Sequence, residues 1–241
     1  MKCNQMVEIG NVRRATRRLH SLMNRVVSES VGIGLFYGLP GLGKTRWGLT
    51  MASLLKQKYI RLLENMTVKD FLRELLWKLK YSRKRRDSIQ GTQNELYYEI
   101  LDYLHEHPNT LIFVDECDYG FSKPRIMATI RDLADQSVAT FALIGMENAK
   151  KSLQKMNAHY FDRCNSFCEF TPVSQQDVVL LAGDVCDVEL DKPLLECIWK
   201  KSSGTMRLLE KHFERLEAYA KEHKLSKLTL EGVSKLMEAT L

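Results

Sequence analysis

The sequence contains no long apolar run, no closely paired cysteines and no internal repeat. No stretch approaches the roughly 18 consecutive apolar residues of a membrane-spanning helix, and the start, MKCNQMVEIGNVRRATRR, lacks the apolar segment of a signal peptide. The six cysteines include no C-x-x-C pair, which argues against a zinc site and against a disulfide framework. We therefore expect a soluble, cytoplasmic protein without a membrane partner.

Positive charge is concentrated in two segments of the chain. The formal net charge is +6, to which residues 1–30 contribute +4 and the segment KYSRKRR (80–86) contributes +5. The rest of the chain is therefore slightly acidic. This distribution favours a polyanion such as nucleic acid as partner, and an ordinary solvated loop is the alternative interpretation.

Short apolar runs predict the strands of a parallel sheet. The run Leu111–Val114 is apolar without alternation, which is typical of a strand buried on both faces in the centre of such a sheet. The predicted strands are VGIGLFYG (31–38), KYIRLL (58–63), NTLIFVDECD (109–118), SVATFALIG (137–145) and NSFCEFTPV (165–173).

Helical patterns separate these strands, so we expect an α/β fold in which helices flank the sheet. The first predicted helix is 45–58, with the apolar positions Leu49, Ala52 and Leu55 at helical spacing. The next two are 67–80, capped by Thr67 with Asp70, and 92–108, capped by Thr92 with Glu95. The fourth is 122–136, with Pro124 in its first turn. From Pro172 onward only helical periodicity is visible. We expect an α/β domain over 1–172, which includes a basic N-terminal helix (13–26), and a small all-helical lid domain over 173–241.

The segment FYGLPGLGKT (36–45) contains G-x-x-x-x-G-K-T between a predicted strand and a predicted helix. In this arrangement backbone N–H groups cradle nucleotide phosphates, the lysine contacts the outer phosphates, and the threonine hydroxyl binds Mg²⁺. The pattern predicts that ATP is bound by Gly38, Leu39, Pro40, Gly41, Leu42, Gly43, Lys44, Thr45 and Arg46.

Two carboxylates follow the predicted central strand in LIFVDE. A phosphate-binding loop needs a partner carboxylate at a strand end to hold the metal shell, and Asp115 has that position. The sequence therefore predicts that Thr45 and Asp115 hold Mg²⁺. Asp115 is also predicted to belong to the nucleotide-binding site. Glu116 is the candidate base that deprotonates the attacking water. A helix-entry cap is the alternative interpretation of the two carboxylates.

Five segments resemble, in the same order, an AAA+ ATPase of the MuB and TnsC type, which regulates transposition and has ExeA-like ATPases as relatives. They are GLPGLGKT, LIFVDECD, LIGMENA, AHYFDRCNSFCEFTP and SSGTMRLLEKHFERLEAYA, within roughly residues 12–225. The resemblance implies an AAA+ P-loop fold and an ATPase that binds duplex DNA with little sequence preference. It also implies self-association into a ring or helical filament, and presentation of target DNA to a transposase.

The resemblance implies roles for two arginines. Arg163 in YFDRC has the position of the arginine that reaches the nucleotide of a neighbouring subunit, and a surface arginine is the alternative. Arg207 in GTMR has the position of the lid arginine, which contacts the nucleotide of its own subunit. Together with Lys44 and Glu116, these arginines form the predicted catalytic set.

Two departures from the family pattern change what we expect. Met146 in LIGM stands where a polar residue such as asparagine is common, and a thioether cannot usefully hydrogen-bond an attacking water. Asn148 is the nearest polar alternative, and we expect slow hydrolysis.

Only about thirty residues precede the first predicted strand, too few for the helix-turn-helix domain of some MuB proteins, so DNA binding is expected from the ATPase body.

The basic segment suits phosphate contacts without base readout. The predicted DNA-binding residues are Lys80, Arg83, Lys84, Arg85 and Arg86. Tyr81 either stacks on a base or packs internally. A basic stripe on the predicted N-terminal helix either touches DNA or is simply solvated, and it consists of Arg13, Arg14, Arg17 and Arg18.

Two other functions compete with this hypothesis. A P-loop kinase is disfavoured, because two carboxylates after the strand suit water activation and the predicted lid carries a single arginine of the sensing kind. The sequence distinguishes the transposition hypothesis less well from an ATP-gated protein-interaction module, ExeA-like or similar to a helicase loader.

His105 and His107 in LHEHP are interpreted as caps of a helix C-terminus and not as metal ligands.

Overall fold

The computed structural model describes residues 6–26, 31–81, 88–156 and 161–234. These residues contain a five-stranded parallel sheet with the strand order β2-β3-β4-β1-β5. Its strands are β1 (Ile33–Gly38), β2 (Lys58–Arg61), β3 (Leu111–Asp115), β4 (Thr140–Gly145) and β5 (Cys164–Phe170). The five predicted strands and the α/β fold class are confirmed.

Helices alternate with these strands and continue after the last of them. They are α1 (Gly10–Met23), α2 (Lys44–Leu54), α3 (Val68–Leu76), α4 (Gln93–Glu106), α5 (Asp118–Phe121), α6 (Pro124–Gln136), α7 (Ala149–Met156), α8 (Gln175–Val185), α9 (Lys192–Ser202) and α10 (Met206–Glu222). A π-helical turn, Trp77–Tyr81, extends α3. The N-terminal helix begins at Gly10, earlier than predicted, and α5 and α7 were not predicted.

The predicted helix starts are confirmed by their hydrogen bonds. The Thr67 hydroxyl accepts from the Asp70 amide at 3.2 Å, and the Asp70 carboxylate accepts from the Thr67 amide at 3.1 Å. Thr92 and Glu95 form the same reciprocal pair at 3.2 and 2.7 Å. Each capping box satisfies amides that the helix itself leaves without partners. Pro124 is the first residue of α6, where its missing N–H costs nothing.

Helix α2 packs on the sheet through a face that only partly matches the predicted apolar positions, of which Ala52 is buried as expected. Leu49, which was expected in the apolar stripe, is 47% exposed, whereas Trp47 and Met51 are buried. Gly48 permits the close approach, because a Cβ built there would lie 2.4 Å from Ile144 Cδ1. A glycine therefore marks the buried face, and counting apolar residues at helical spacing could not show this.

The described chain divides into two compact units. The larger consists of 15–40 and 44–170, and the smaller consists of 1–14, 41–43 and 171–241, as far as these are described. The smaller unit therefore takes in the tip of the loop between β1 and α2. In the larger unit, strands β3 and β4 are buried along their whole length. The proposed boundary at residue 172 stays a prediction.

The smaller unit contains helices α8, α9 and α10 and one short parallel strand pair. The pair consists of β6 (Glu189–Leu190) and β7 (Lys227–Leu228). The expectation of helices alone was wrong at this point, since strands of two residues are too short to show a period-2 pattern. Across the described ranges, no helix has the length and apolarity needed to cross a membrane.

Candidate functional site

The loop between β1 and α2 forms the first part of the candidate site. It leaves the sheet at Gly38 and enters α2 at Lys44, at the carboxyl ends of parallel strands, where α/β proteins bind ligands. Gly43 has a φ of +89°, a left-handed conformation that strains any residue with a side chain. At Gly38 a Cβ would lie 2.3 Å from the Phe170 carbonyl oxygen. Both positions therefore require glycine.

Lys44 is folded back onto this loop. Its Nζ donates to the carbonyl oxygens of Gly38 and Leu39, both at 2.8 Å. Burial lowers the pKa of Lys44, and the charges of nearby carboxylates, chiefly Asp115, oppose that shift. A buried ammonium at the start of a helix suits the outer phosphates of a nucleotide. Of the other predicted loop residues, Leu42 is buried, whereas Leu39, Pro40 and Arg46 are exposed.

Asp115, at the end of β3, is held by several donors and is 2% exposed. Its Oδ2 accepts from Thr45 Oγ1 at 2.9 Å and from the Tyr59 hydroxyl at 2.5 Å. Its Oδ1 accepts from the Glu116 amide at 2.9 Å. Mg²⁺ prefers oxygen ligands of this kind. The structure thus brings Thr45 and Asp115 together, and the pair fits the predicted metal site.

Glu116 is the next residue, yet its surroundings differ. Its φ is +55°, which is unusual for a residue other than glycine. The carboxylate forms an ion pair with Arg61 of β2 at 2.8 Å, and its side chain remains 26% exposed. The candidate base is therefore engaged with a cation.

Sequence patterns did not single out Tyr59, Arg61 and Asp118. The first two lie on β2, and the sequence of a strand does not show which side chains of a neighbouring strand it will meet. Asp118 had a signal, since it stands close behind Glu116 in DECD. Its Oδ2 accepts from the Met146 amide at 2.8 Å, and burial raises the pKa of Asp118.

The position at which the sequence departs from the family pattern lies at the carboxyl end of β4, between β1 and β3. The side chain of Met146 is 38% exposed. Asn148, the polar alternative, is exposed. The polar contact at this strand end is therefore made by the Met146 backbone and Asp118.

Arg163 lies apart from this cluster, immediately before β5. Cys164 pairs in register with Ile33 at the start of β1, so Arg163 lies near the amino edge of the sheet, roughly one strand length, about 20 Å, from the phosphate loop. Its guanidinium forms an ion pair with Asp135 at 3.1 Å. The structure does not bring Arg163 to the Lys44 site of its own chain.

Arg207 belongs to the smaller unit and is the second residue of α10. Its amide donates to the Gly41 carbonyl at 3.1 Å. Gly204 precedes this helix with a φ of +68°, which provides the predicted turn. Within this unit, Arg207 therefore contacts the loop tip through its backbone, and its side chain is exposed.

The basic segments are described only in part. Lys80 forms an ion pair with Glu99 at 3.0 Å, and the Tyr81 hydroxyl donates to the same carboxylate at 2.6 Å. Tyr81 is thus tied to α4. Arg83, Lys84, Arg85 and Arg86 lie outside the described residues. The α1 residues Arg13, Arg14, Arg17 and Arg18 are exposed.

The two histidines of LHEHP contact carbonyl oxygens. His105 Nε2 lies 2.7 Å from the Gln136 oxygen, and His107 Nδ1 lies 2.9 Å from the Tyr103 oxygen at the end of α4. No cluster of histidine, cysteine and acidic residues that could hold a metal occurs in the ranges given above.

A protein-family model described as an AAA domain matches residues 27–153, which is more than half of the chain. No curated protein sequence matches this chain.

Several solved structures have a similar fold. The Aeropyrum pernix ORC2 protein, in ADPNP–ADP complexes, has a TM-score of 0.71 at 16% identity, over 98% of this chain and 70% of that one. The Thermotoga maritima RuvB Holliday junction branch migration motor has a TM-score of 0.61 at 21% identity, over 96% and 70%. The Aeropyrum pernix ORC1 protein in complex with DNA has a TM-score of 0.64 at 16% identity, over 95% and 64%. At these identities the likeness shows the fold alone.

Proposed function

Because the chain belongs to the AAA domain family, we propose that it is an ATPase that binds ATP with Mg²⁺ and assembles on duplex DNA. The observation that carries the ATP and Mg²⁺ part of this proposal is the 2.9 Å hydrogen bond between Thr45 Oγ1 and Asp115 Oδ2. It joins the end of the phosphate loop to the carboxylate after β3, the two parts that a nucleotide and metal site of this class needs. The ADPNP–ADP complexes of the ORC2 relative support the same use of the fold.

Each residue of the site has a role in this proposal. The backbone of residues 38–46 holds the phosphates, and Lys44 exchanges its two carbonyl partners for an outer phosphate. Thr45 and Asp115 hold Mg²⁺, which neutralises phosphate charge when bound. Glu116 deprotonates the attacking water, for which its carboxylate must leave Arg61. Hydrolysis is slow, because Met146 offers the water no side-chain hydrogen bond.

The two arginines link the nucleotide to assembly. Arg163 acts on the nucleotide of a neighbouring subunit, and its position at the amino edge of the sheet suits an action between subunits. Arg207 contacts the nucleotide of its own subunit. Nucleotide binding then stabilises a ring or a helical filament, because cation and phosphate meet only at the interface.

Duplex DNA is the proposed partner of the basic segments. Residues 80–86 carry five of the chain's cations, and α1 adds a stripe of exposed arginines. Contacts of this kind reach the phosphate backbone and read no sequence. The ORC1 relative in complex with DNA supports this use of the fold.

The biological setting rests on the resemblance of five segments to the MuB and TnsC type. On that basis the protein regulates transposition in the cytoplasm by presenting target DNA to a transposase. The α/β domain over 1–172 binds and hydrolyses ATP, and the lid over 173–241 carries Arg207.

The test is duplex DNA binding with and without a non-hydrolysable ATP analogue, across a salt series. We expect binding that requires the analogue, shows little sequence preference, and has a salt slope of about −0.9 per neutralised phosphate. Replacing Arg83, Lys84, Arg85 and Arg86 by alanine flattens that slope while nucleotide affinity stays unchanged. No DNA binding at micromolar protein and low salt contradicts the DNA part and leaves the ATP-gated protein-interaction module.

A further inference from the structure

We propose that Tyr59 is a positioning residue for the metal-site carboxylate Asp115, a role that rests on the proposed ATP and Mg²⁺ site. The two residues lie on neighbouring parallel strands. Tyr59 pairs in register with Phe113, two positions before Asp115, so both side chains emerge on one face of the sheet. The Tyr59 hydroxyl reaches Asp115 Oδ2 at 2.5 Å.

The hydrogen bonds to Asp115 explain why this contact fixes its orientation. A carboxylate offers about four acceptor positions, two on each oxygen. On Oδ2, Thr45 and Tyr59 both donate, and on Oδ1 the Glu116 amide donates. Rotation of the carboxylate would break all of these bonds. Thr45 is itself a proposed metal ligand, so Tyr59 is the side-chain donor that can hold Asp115 independently of the metal.

The surroundings of Tyr59 suit this role. The Tyr59 side chain is half-buried, and its hydroxyl donates directly to Asp115 Oδ2. The ring lies beside α2, where its Cε2 is 3.5 Å from the position of a Cβ built on Gly48. A phenylalanine keeps this ring contact and removes only the hydroxyl.

The consequence concerns metal affinity and not phosphate binding. Residues that orient metal ligands typically change metal affinity by about tenfold or more when they are replaced. Lys44 and the loop backbone make no hydrogen bond to Tyr59, so binding of the nucleotide without metal does not depend on its hydroxyl. In this proposal Tyr59 acts through Asp115.

The experiment compares the full chain with Tyr59→Phe and with Tyr37→Phe, which removes the hydroxyl of another half-buried tyrosine, on β1. The affinity of a fluorescent ATP analogue is measured in EDTA and across a MgCl₂ titration, and thermal unfolding is followed without ligand. For Tyr59→Phe we expect a half-maximal Mg²⁺ concentration raised about tenfold. Metal-free affinity and unfolding temperature stay close to those of the wild type. Tyr37→Phe leaves the Mg²⁺ curve unchanged.

An unchanged Mg²⁺ curve in Tyr59→Phe overturns the inference and leaves the proposed function standing. An equal loss of affinity with and without Mg²⁺ also overturns it, because the hydroxyl then supports the fold of the site and not the metal. A wild-type chain that does not bind the analogue at all overturns the proposed function, and the role of Tyr59 with it.

Discussion

Two neighbouring carboxylates have opposite surroundings. Asp115 is 2% exposed and accepts from two hydroxyls and an amide. The side chain of Glu116 is 26% exposed and its carboxylate pairs with Arg61. Several donors around a buried group fix its position, whereas a partly exposed ion pair adds little stability and exchanges readily. On the proposed function, the residues that bind nucleotide and metal are already assembled within one chain, whereas the proposed base Glu116 is occupied by its ion pair with Arg61.

Arg163 resembles Glu116 in this respect. Its ion pair with Asp135 lies at the surface, and its side chain is 49% exposed. Both groups proposed to complete hydrolysis are therefore tied by partly exposed ion pairs in their own chain. Lys44, Thr45 and Asp115, which are proposed to bind the nucleotide and metal, are already assembled. Binding and hydrolysis should thus be separable by substitution.

The largest effect on nucleotide binding is expected at Lys44. Lys44→Ala should weaken ATP binding by about tenfold to a hundredfold, because a hydrogen bond to a charged group is worth about 1.5–3 kcal/mol. Equilibrium binding of a fluorescent ATP analogue measures this, and Lys69→Ala, on the surface of α3, is the control. A near-normal affinity in Lys44→Ala would remove this lysine from the binding part of the site.

Glu116→Gln tests the hydrolytic part directly. General base catalysis contributes about 10²–10⁴-fold, so the ATPase rate should fall by at least about a hundredfold. ATP affinity should stay within about twofold, since Asp115 keeps its other donors. Steady-state phosphate release and analogue binding are measured on the same preparation. A parallel loss of affinity would show that the two carboxylates form one unit.

Arg163→Ala should impair assembly and hydrolysis together. An arginine supplied by a neighbouring subunit stabilises charge in phosphoryl transfer, so we expect the ATPase rate of the assembled protein to fall by at least about tenfold. Light scattering with the ATP analogue and DNA follows assembly. The matched control is Arg131→Ala, an arginine of α6 that pairs with Asp132. A normal ATPase rate in Arg163→Ala excludes it from the site.

The smallest effect is expected at Arg61, where substitution should raise the ATPase rate and not lower it. Arg61→Ala frees Glu116, so the ATPase rate should rise about twofold to fivefold, because a partly exposed ion pair is worth up to about 1 kcal/mol. The initial rate of ATP hydrolysis checks this, with Lys58→Ala on the same strand as control. If the rate falls, Arg61 orients Glu116 and does not hold it back.

The sequence predicted the features that depend on residues close together in the chain. The capping boxes at Thr67 and Thr92 and the strand after which Asp115 stands all rest on spacings of a few residues. The meeting of Thr45 with Asp115 was also predicted, because carboxyl ends of parallel strands lie at one edge of a sheet.

The contacts that β2 makes with the two carboxylates after β3 were not predicted. Tyr59 and Arg61 each meet a carboxylate of β3 or its following turn, and this depends on the strand order and register, which no local pattern encodes. Ala52 of α2 is buried as predicted, but Leu49 is exposed, because Gly48, and not a large apolar residue, marks the closest approach of this helix to the sheet. The sequence singled out Glu116 as a candidate base, but it did not predict the ion pair of Glu116 with Arg61.

On the proposed function, one chain binds ATP and hydrolysis depends on assembly. The direct test measures the ATP affinity and the ATPase rate per chain over the same dilution series, with and without duplex DNA. We predict that ATP already binds at dilutions at which the rate per chain is low, that its affinity tightens as the chains assemble, and that the rate per chain rises with concentration and rises further with DNA. A rate per chain that stays constant across the series would contradict the claim.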